Sequence, residues 1–289
     1  MKKIVCFCLI FITLWIASCC GEIKTLSDED LVCKSCVLMD AYTGEILYAK
    51  NPDTRRYPAS TTKIMTLLVS IEKCDGRQIV TVPACASEIT LDSSRVPVYP
   101  GEVMPMRDLW YGLIYNSGND AANAIAYLTS GSIKAFVEDM NKKAQELGMT
   151  NTHFTNAHGL HNQEHYTTAR DMATLTYYAL DIDLFREITF STGYTMQATS
   201  KRDELLLDHH YPITDYTSKY YYPYARGIKT GWRTQAGQCY VGAADKDGHE
   251  LIAVVLFSGT VKNYKWIDAR KLFEYGFSVL EEREANPQN

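Results

Sequence analysis

The sequence predicts an α+β fold, one sheet packed with helices, on three observations. Short apolar runs that read as strands lie near both ends of the chain, residues of helical period fill the middle, and an amphipathic helix closes it. The N-terminal and C-terminal strands are expected to share one sheet, because an isolated hairpin is marginal in water.

The elements follow in order. Cys36-Val37-Leu38-Met39-Asp40 reads as a strand, residues 40–44 as a turn, and Glu45-Ile46-Leu47-Tyr48 as the return strand. Pro58 precedes a helix that starts near Ser60 and repeats Ile64, Leu67, Leu68 and Ile71 at helical spacing. Residues 107–115 and 121–128 read as helices on either side of a turn. Residues 132–147 form the most regular helix: Ser132 can cap it, Phe136, Val137, Met140, Ala144 and Leu147 make its apolar face, and Gly148 ends it. A further helix is expected over 168–180, and residues 188–198 are a candidate strand. Residues 237–244 and 249–257 read as two more strands joined at Asp247-Gly248, a hairpin signal. The last helix is expected over about 263–280, before a polar tail at 281–289.

At 289 residues the chain holds one large domain or two small ones, and one spanning 27–280 is expected. Hydrophobic residues make up 46% and charged residues 22%, as in ordinary globular proteins, and a net charge of −5 argues against a large basic face for nucleic acid. Residues 1–18 read as a signal peptide: Lys2 and Lys3 give the positive start, and the apolar run 4–16 is too short to span a membrane comfortably. Ile16-Ala17-Ser18-Cys19 resembles a bacterial lipobox, in which the cysteine is lipidated and membrane-anchored; cleavage near Ala17-Ser18 with free secretion is the other reading. Beyond Cys20, the body retains Cys33, Cys36, Cys74, Cys85 and Cys239. Cys33-x-x-Cys36 has the spacing of a redox or half-zinc motif, but no second pair completes a metal site, and buried thiols are expected at the start of an apolar strand. His153, His158 and His209-His210 lack ligand spacing as well, so no metal is expected. Tyr211 to Tyr224 contains six tyrosines, which could form a stacking rim; their amphipathic character favours packing within a long loop.

Three short motifs carry chemistry. In Ser60-Thr61-Thr62-Lys63 the serine and lysine are three apart at a helix start and share a face. Serine is a weak nucleophile until a base takes its proton, and a lysine whose pKa is lowered by burial and a nearby cation can do so. Ser117-Gly118-Asn119 lies at the turn between two helices, where a serine could pass a proton to a leaving nitrogen and an asparagine could hold a substrate amide. In Lys229-Thr230-Gly231, followed by Trp232, the lysine and threonine suit an anionic substrate end and the glycine admits close backbone approach. Strand alternation puts Lys229 and Gly231 on one face and Thr230 on the other, so a twist or bulge is needed to bring Thr230 to the ligand. Each motif alone is weak; an N-cap serine with a surface lysine, a helix-connecting turn and an exposed edge-strand lysine would give the same tripeptides and tetrapeptides. Their conjunction in this order matches the set used by serine enzymes of penicillin-like and D-alanyl substrates.

With these motifs in context, the chain resembles the low-molecular-weight penicillin-binding proteins, the D-alanyl-D-alanine carboxypeptidases. Residues 37–44 (Val-Leu-Met-Asp-Ala-Tyr-Thr-Gly), 57–60 (Tyr-Pro-Ala-Ser), 151–160 (Asn-Thr-His-Phe-Thr-Asn-Ala-His-Gly-Leu), 168–173 and 227–231 agree, and the resemblance covers about residues 30–280. It implies a β-lactamase/transpeptidase-like fold, an antiparallel sheet with a helical cluster and the active site between them. It implies peptidoglycan stem peptides ending in D-Ala-D-Ala as substrate, acylation by penicillin and other β-lactams as inhibitors, and no metal or organic cofactor. Ser60 would be the nucleophile, Lys63 the base, Ser117 the proton donor to the leaving D-alanine, and Asn119 a peptide ligand. The N–H groups of Ser60 and Trp232 would form the oxyanion hole. Lys229 and Thr230 would bind the terminal carboxylate. Many relatives add an arginine after the last strand, where this chain reads Lys262-Asn263-Tyr264-Lys265; Lys265 is the expected stand-in, with Arg226 as another candidate. Several relatives carry a further C-terminal β domain and membrane anchor that this chain ends before, which draws attention to Cys19. A β-lactamase, with Glu164 as deacylating base, and a non-catalytic β-lactam sensor are the competing functions.

Overall fold

The computed structural model describes residues 25–208, 211–261 and 263–286, so the expected signal peptide, Cys19, His209-His210 and Lys262 lie outside the described residues. In chain order the elements are β1 (Ser35–Asp40), β2 (Ile46–Lys50), a 3₁₀ turn (Ala59–Thr62) that runs into α1 (Lys63–Lys73), β3 (Ile79–Thr81), β4 (Val103–Pro105), α2 (Met106–Tyr115), α3 (Asn119–Ser130), α4 (Ile133–Glu146), α5 (Ala169–Leu180), α6 (Asp183–Phe190), β5 (Gly193–Met196), β6 (Leu205–Asp208), β7 (Ala225–Arg233), β8 (Gly237–Lys246), β9 (His249–Leu256) and α7 (Tyr264–Ala285).

The main sheet has the order β2-β1-β9-β8-β7 and every neighbouring pair is antiparallel. The two ends of the chain therefore meet in one sheet, as the sequence predicts. Alternate residues of its central strands serve two cores. Val37, Met39, Val241 and Val254 join the helical cluster around α1, α2, α3 and α5, while Cys36, Leu38, Tyr240 and Val255 pack against Trp266, Phe273 and Phe277 of α7. A strand covered on both faces needs no polar alternation, which is why β1 and β9 read as continuous apolar runs. Asp268 of α7 fastens the lead-in to β1: its carboxylate accepts from the Val32 and Cys33 N–H groups at 3.0 and 2.9 Å and from the Ser258 hydroxyl at 2.5 Å.

The helix caps behave as their residue types predict. Ser132 Oγ accepts from Ala135 N–H at 3.1 Å, and Gly148 takes φ +74° just beyond α4. The candidate strand at 188–198 is corrected. Residues 188–190 finish α6, and only Gly193–Met196 is extended, paired with Leu205–Asp208. The β-branched Ile188 and Thr189 suggest a strand, but Phe185 and Ile188 bury one helical face and Thr189 Oγ1 donates back to the Phe185 carbonyl at 2.8 Å. The closing helix also runs on to Ala285, into the stretch expected to be tail. Cys33 and Cys36 are buried, unbridged thiols. Most of the tyrosine run is packing: Tyr222 stacks on Phe273, Tyr224 meets Phe277 edge-on, and Tyr211 lies against Tyr240 and Trp266, while Tyr216 is exposed.

Candidate active site

The three motifs converge where the helical cluster meets the open edge of β7. Ser60 sits in the 3₁₀ turn, and Lys63 is the first residue of α1, so the i, i+3 spacing brings Lys63 Nζ to 3.3 Å from Ser60 Oγ. Lys63 is 0% exposed. Its Nζ donates to Asn119 Oδ1 at 2.8 Å and to the His158 carbonyl at 2.7 Å. A neutral amine has two N–H bonds and one lone pair, so these two acceptors leave the lone pair for the Ser60 hydroxyl. Burial pushes the Lys63 pKa well below its ordinary value; the Lys229 and Arg233 cations push the same way, and Asp120 opposes them.

Lys229 is 1% exposed, which removes the surface-lysine reading of its motif. Burial, helped by Lys265, brings its pKa down to about 7. A β-bulge between Gly227 and Lys229 shifts the register of β7 against β8. It lies before Thr230, whose hydroxyl is engaged with Tyr211. Gly231 shares the Lys229 face, and a Cβ there would lie 2.9 Å from the Pro58 carbonyl and 3.0 Å from Ser60 N. The missing side chain thus lets β7 approach the backbone of Ser60, a different use from the substrate approach expected of it. Trp232 follows on the strand with its side chain half exposed.

Asn119 begins α3, and its Nδ2 makes no hydrogen bond among the described residues. Ser117 precedes it at φ +54°, and Ala59, next to Ser60, stands at φ +48°. Left-handed backbone is unfavourable for side-chain-bearing residues and tends to collect at functional sites. Lys265 is buried in the first turn of α7, with its pKa lowered by burial to about 8 and its Nζ 4.8 Å from the Trp266 ring centre. Arg226 lines a separate cavity with Ser191, Thr192 and Tyr221.

Three residues of the site escape sequence reasoning. Thr155 N–H donates to His165 Nδ1 at 3.0 Å, His165 Nε2 lies 2.8 Å from Thr62 Oγ1, and Thr62 donates to the Ala59 carbonyl at 2.8 Å. The direction of this chain requires a neutral His165 with its proton on Nε2, in keeping with a pKa that burial lowers to about 3. Asp120 Oδ1 accepts from the Val96 and Ala121 N–H groups at 3.0 and 2.9 Å, fixing the loop before β4 against α3. Arg233, at the end of β7, lines a small cavity with Tyr57, Ala59 and Gly159. Only Asp120 carries a local signal, its position beside Ser117-Gly118-Asn119. His158 contributes its main-chain carbonyl to Lys63, as part of the floor.

A family model described as D-alanyl-D-alanine carboxypeptidase matches residues 22–260. The D-alanyl-D-alanine carboxypeptidase DacF of Bacillus subtilis is 36% identical over 255 residues, 86% of this chain and 63% of the relative. DacA of Haemophilus influenzae is 34% identical over 268 residues, 89% of this chain and 64% of the relative. The chain thus spans less than two thirds of the length of these two proteins. Among solved structures, a D-alanyl-D-alanine carboxypeptidase from Mycobacterium tuberculosis gives a TM-score of 0.79 at 29% identity, covering 89% of this chain and 95% of that one. A Streptomyces DD-transpeptidase gives 0.80 at 30% identity, covering 89% and 100%.

Proposed function

The chain belongs to the D-alanyl-D-alanine carboxypeptidase family, and from that premise we propose that it removes the terminal D-alanine from peptidoglycan stem peptides. The observation that carries the reading is the buried Lys63 amine, with both N–H bonds occupied and its lone pair free for Ser60. Ser60 Oγ attacks the carbonyl between the two D-alanines while its proton passes to Lys63 Nζ. The C–N bond breaks, the leaving nitrogen takes a proton through Ser117, and an ester remains on Ser60. Water then adds to the ester carbonyl, the acid departs, and Ser60 recovers its proton. The Ser60 and Trp232 N–H groups receive the oxyanion. Asn119 uses its free Nδ2 for the peptide, Lys229 with Thr230 on the open edge holds the terminal carboxylate, and Lys265 adds positive field.

Glu164 argues against the β-lactamase reading. It is exposed and makes no side-chain hydrogen bond to Ser60 or Lys63 among the described residues, so it is not placed to speed hydrolysis of a penicilloyl ester. The reading carries with it a location on the cell-wall side of the membrane, with a lipidated Cys19 as anchor. Among the described residues no helix is long and apolar enough to cross a membrane.

The experiment is D-alanine release from a peptide ending in Lys-D-Ala-D-Ala, with Ser60→Ala as the blank, alongside intact-mass detection of the penicillin adduct. Release by the wild type alone, with a long-lived adduct mapping to Ser60, is expected. A folded wild type that forms the adduct and releases nothing would leave a sensor. The same mass measurement on the exported protein reads the acyl groups on Cys19.

Lys229 offers a pH test. Replacing it with glutamine removes a cation that disfavours the Lys63 ammonium, so the Lys63 pKa rises and less amine is present at a given pH. The acid limb of the acylation profile with penicillin is expected to move to more alkaline pH in Lys229→Gln. An unmoved limb would mean that burial and Arg233 tune Lys63 without Lys229.

A further inference from the structure

A recess of about 320 Å³ lies where β1 runs into its turn and α5 gives way to α6, lined by Tyr42, Tyr177, Tyr178, Asp181 and Arg186 among others. Its three tyrosines are 62%, 38% and 40% exposed, a gathering of open aromatic surface that asks for a use. Two of them spend their hydroxyls within the protein. Tyr177 donates to the Tyr42 carbonyl at 3.4 Å, and Tyr178 donates to the Glu72 carboxylate at 3.1 Å. What they offer to solvent is therefore ring surface, held in a fixed orientation. Each is also backed by a neighbour: Gly44, whose added Cβ would touch the Tyr177 ring at 3.5 Å, and Lys143, whose Nζ lies 5.5 Å from the Tyr178 ring centre.

The polar groups of the recess narrow the ligand. Arg186 donates from Nη1 and Nη2 to the buried Glu250 carboxylate at 2.8 and 2.7 Å, and from Nε to the Leu180 carbonyl. No spare cation is left for an anion, and a guanidinium in the wall disfavours a bound ammonium. The Asp181 carboxylate, exposed at the C-terminal cap of α5, has no ion pair or side-chain hydrogen bond among the described residues. It is free to accept from hydroxyl or amide donors, and such charge-assisted bonds are about twice as strong as neutral ones. Fixed ring faces, one unpaired acceptor and no spare positive charge suit an uncharged ring with an apolar face and hydroxyl donors, which is the chemistry of a sugar.

The sheet register gives its distance from Ser60. Asp40 pairs with Leu251, Leu251 with Ala244 and Ala244 with Ala225, so the recess stands at the end of the sheet where β7 begins. Ser60 lies against Gly231, further along β7. Three strand spacings across and the rise from Ala225 to Gly231 put the two sites roughly 25 Å apart. That is the reach of about seven extended residues, longer than a short stem peptide. A sugar held here therefore belongs to another stretch of polymer than the one whose peptide meets Ser60.

We propose that this recess is a second binding site, for the amino-sugar chain of peptidoglycan, with the tyrosine rings on the sugar face and Asp181 on its hydroxyl or amide donors. The identity of the sugar rests on the proposed function; the fit to a sugar rests on the recess itself. A second attachment raises the local concentration of stem peptides around Ser60 and leaves the chemistry there untouched.

The test titrates the peptide-free trimer of N-acetylglucosamine into Ser60→Ala protein by NMR, then repeats it with Tyr42→Ala or Asp181→Asn added. Both side chains are exposed, so the fold is expected to survive either change. The trimer is expected to bind, and Tyr42→Ala to weaken it roughly threefold to tenfold, the scale of one aromatic contact. Asp181→Asn is expected to weaken it about threefold or more. In the active chain, Tyr42→Ala is expected to leave D-alanine release from a short peptide within about twofold and to raise KM on intact peptidoglycan. No binding of the trimer, or binding unchanged in both variants, would overturn the site. Binding that depends on Tyr42, with no D-alanine released from either substrate by the wild type, would instead sink the proposed reaction and leave the sugar site standing.

Discussion

Lys63→Gln is expected to slow acylation by penicillin roughly a hundred- to ten-thousand-fold, the range spanned by a general base, without lowering thermal stability. Glutamine can still fill the space and meet Asn119 and the His158 carbonyl, but it has no lone pair basic enough to take the Ser60 proton. The stability half follows from linkage. The folded chain holds the Lys63 proton less tightly than the unfolded chain does, because burial and neighbouring cations lower its pKa in the fold. At neutral pH that difference favours the unfolded state, and it fades as pH rises toward the ordinary lysine value. Removing the amine removes the penalty, so Tm is expected to hold or rise while activity collapses, a trade seen where active sites are strained. Stopped-flow acylation and a melting curve check both halves. Acylation within tenfold of wild type would take the base role away from Lys63.

Gly159→Ala is expected to be nearly as damaging by a wholly steric route. Its Cβ would fall 1.9 Å from the Ala59 carbonyl oxygen and 2.9 Å from Thr62 Oγ1, and Gly159 itself stands at φ +87°. Neither obstacle can move cheaply. The Ala59 carbonyl already accepts from Thr62, which His165 holds from behind. A displaced Ala59 carries Ser60 with it, and misplacing a nucleophile by about 1 Å costs roughly a hundredfold. Overpacking and the left-handed backbone together are expected to cost about 3 kcal/mol of stability. Gly148→Ala is the control. Its φ is +74°, but nothing lies within 4 Å of the added Cβ, so only the backbone cost of about 1 kcal/mol applies, and acylation is expected to stay unchanged. Equal loss of acylation in both variants would show that backbone strain, and not the collision, sets the effect.

The comparison of sequence with structure divides along interaction range. Strand β1, the long helices and the β8–β9 hairpin were legible because each is coded by its own residues, through period, caps and the Asp247-Gly248 turn. The segment after α5 was misread because Ile188 and Thr189 have strand propensity, and packing against the core overrode it. Strands of three or four residues, such as β3 and β4, are too short to show a period. At the candidate site, Ser60, Lys63 and the buried Lys229 stood in the motifs. The neutral His165, the role of Gly231 against Ser60 N and the position of Arg233 were illegible, since each is defined by a partner far away in the chain. The stand-in role of Lys265 keeps an electrical basis through its effect on Lys229, whereas Arg226 faces another cavity.

The pairing of β1 with β9 also governs when the molecule can come together. Asp40 meets Leu251 and Ser35 meets Leu256, so the middle of the sheet joins residues roughly two hundred positions apart. No partial chain that stops short of β9 can complete the sheet, and α5, which packs on both β1 and β9, has no finished surface to settle on until then. Closing so long a loop is slow compared with forming local helices. The chain therefore stays open through most of its synthesis, and this order of assembly delays the closed sheet until nearly all of it has been made.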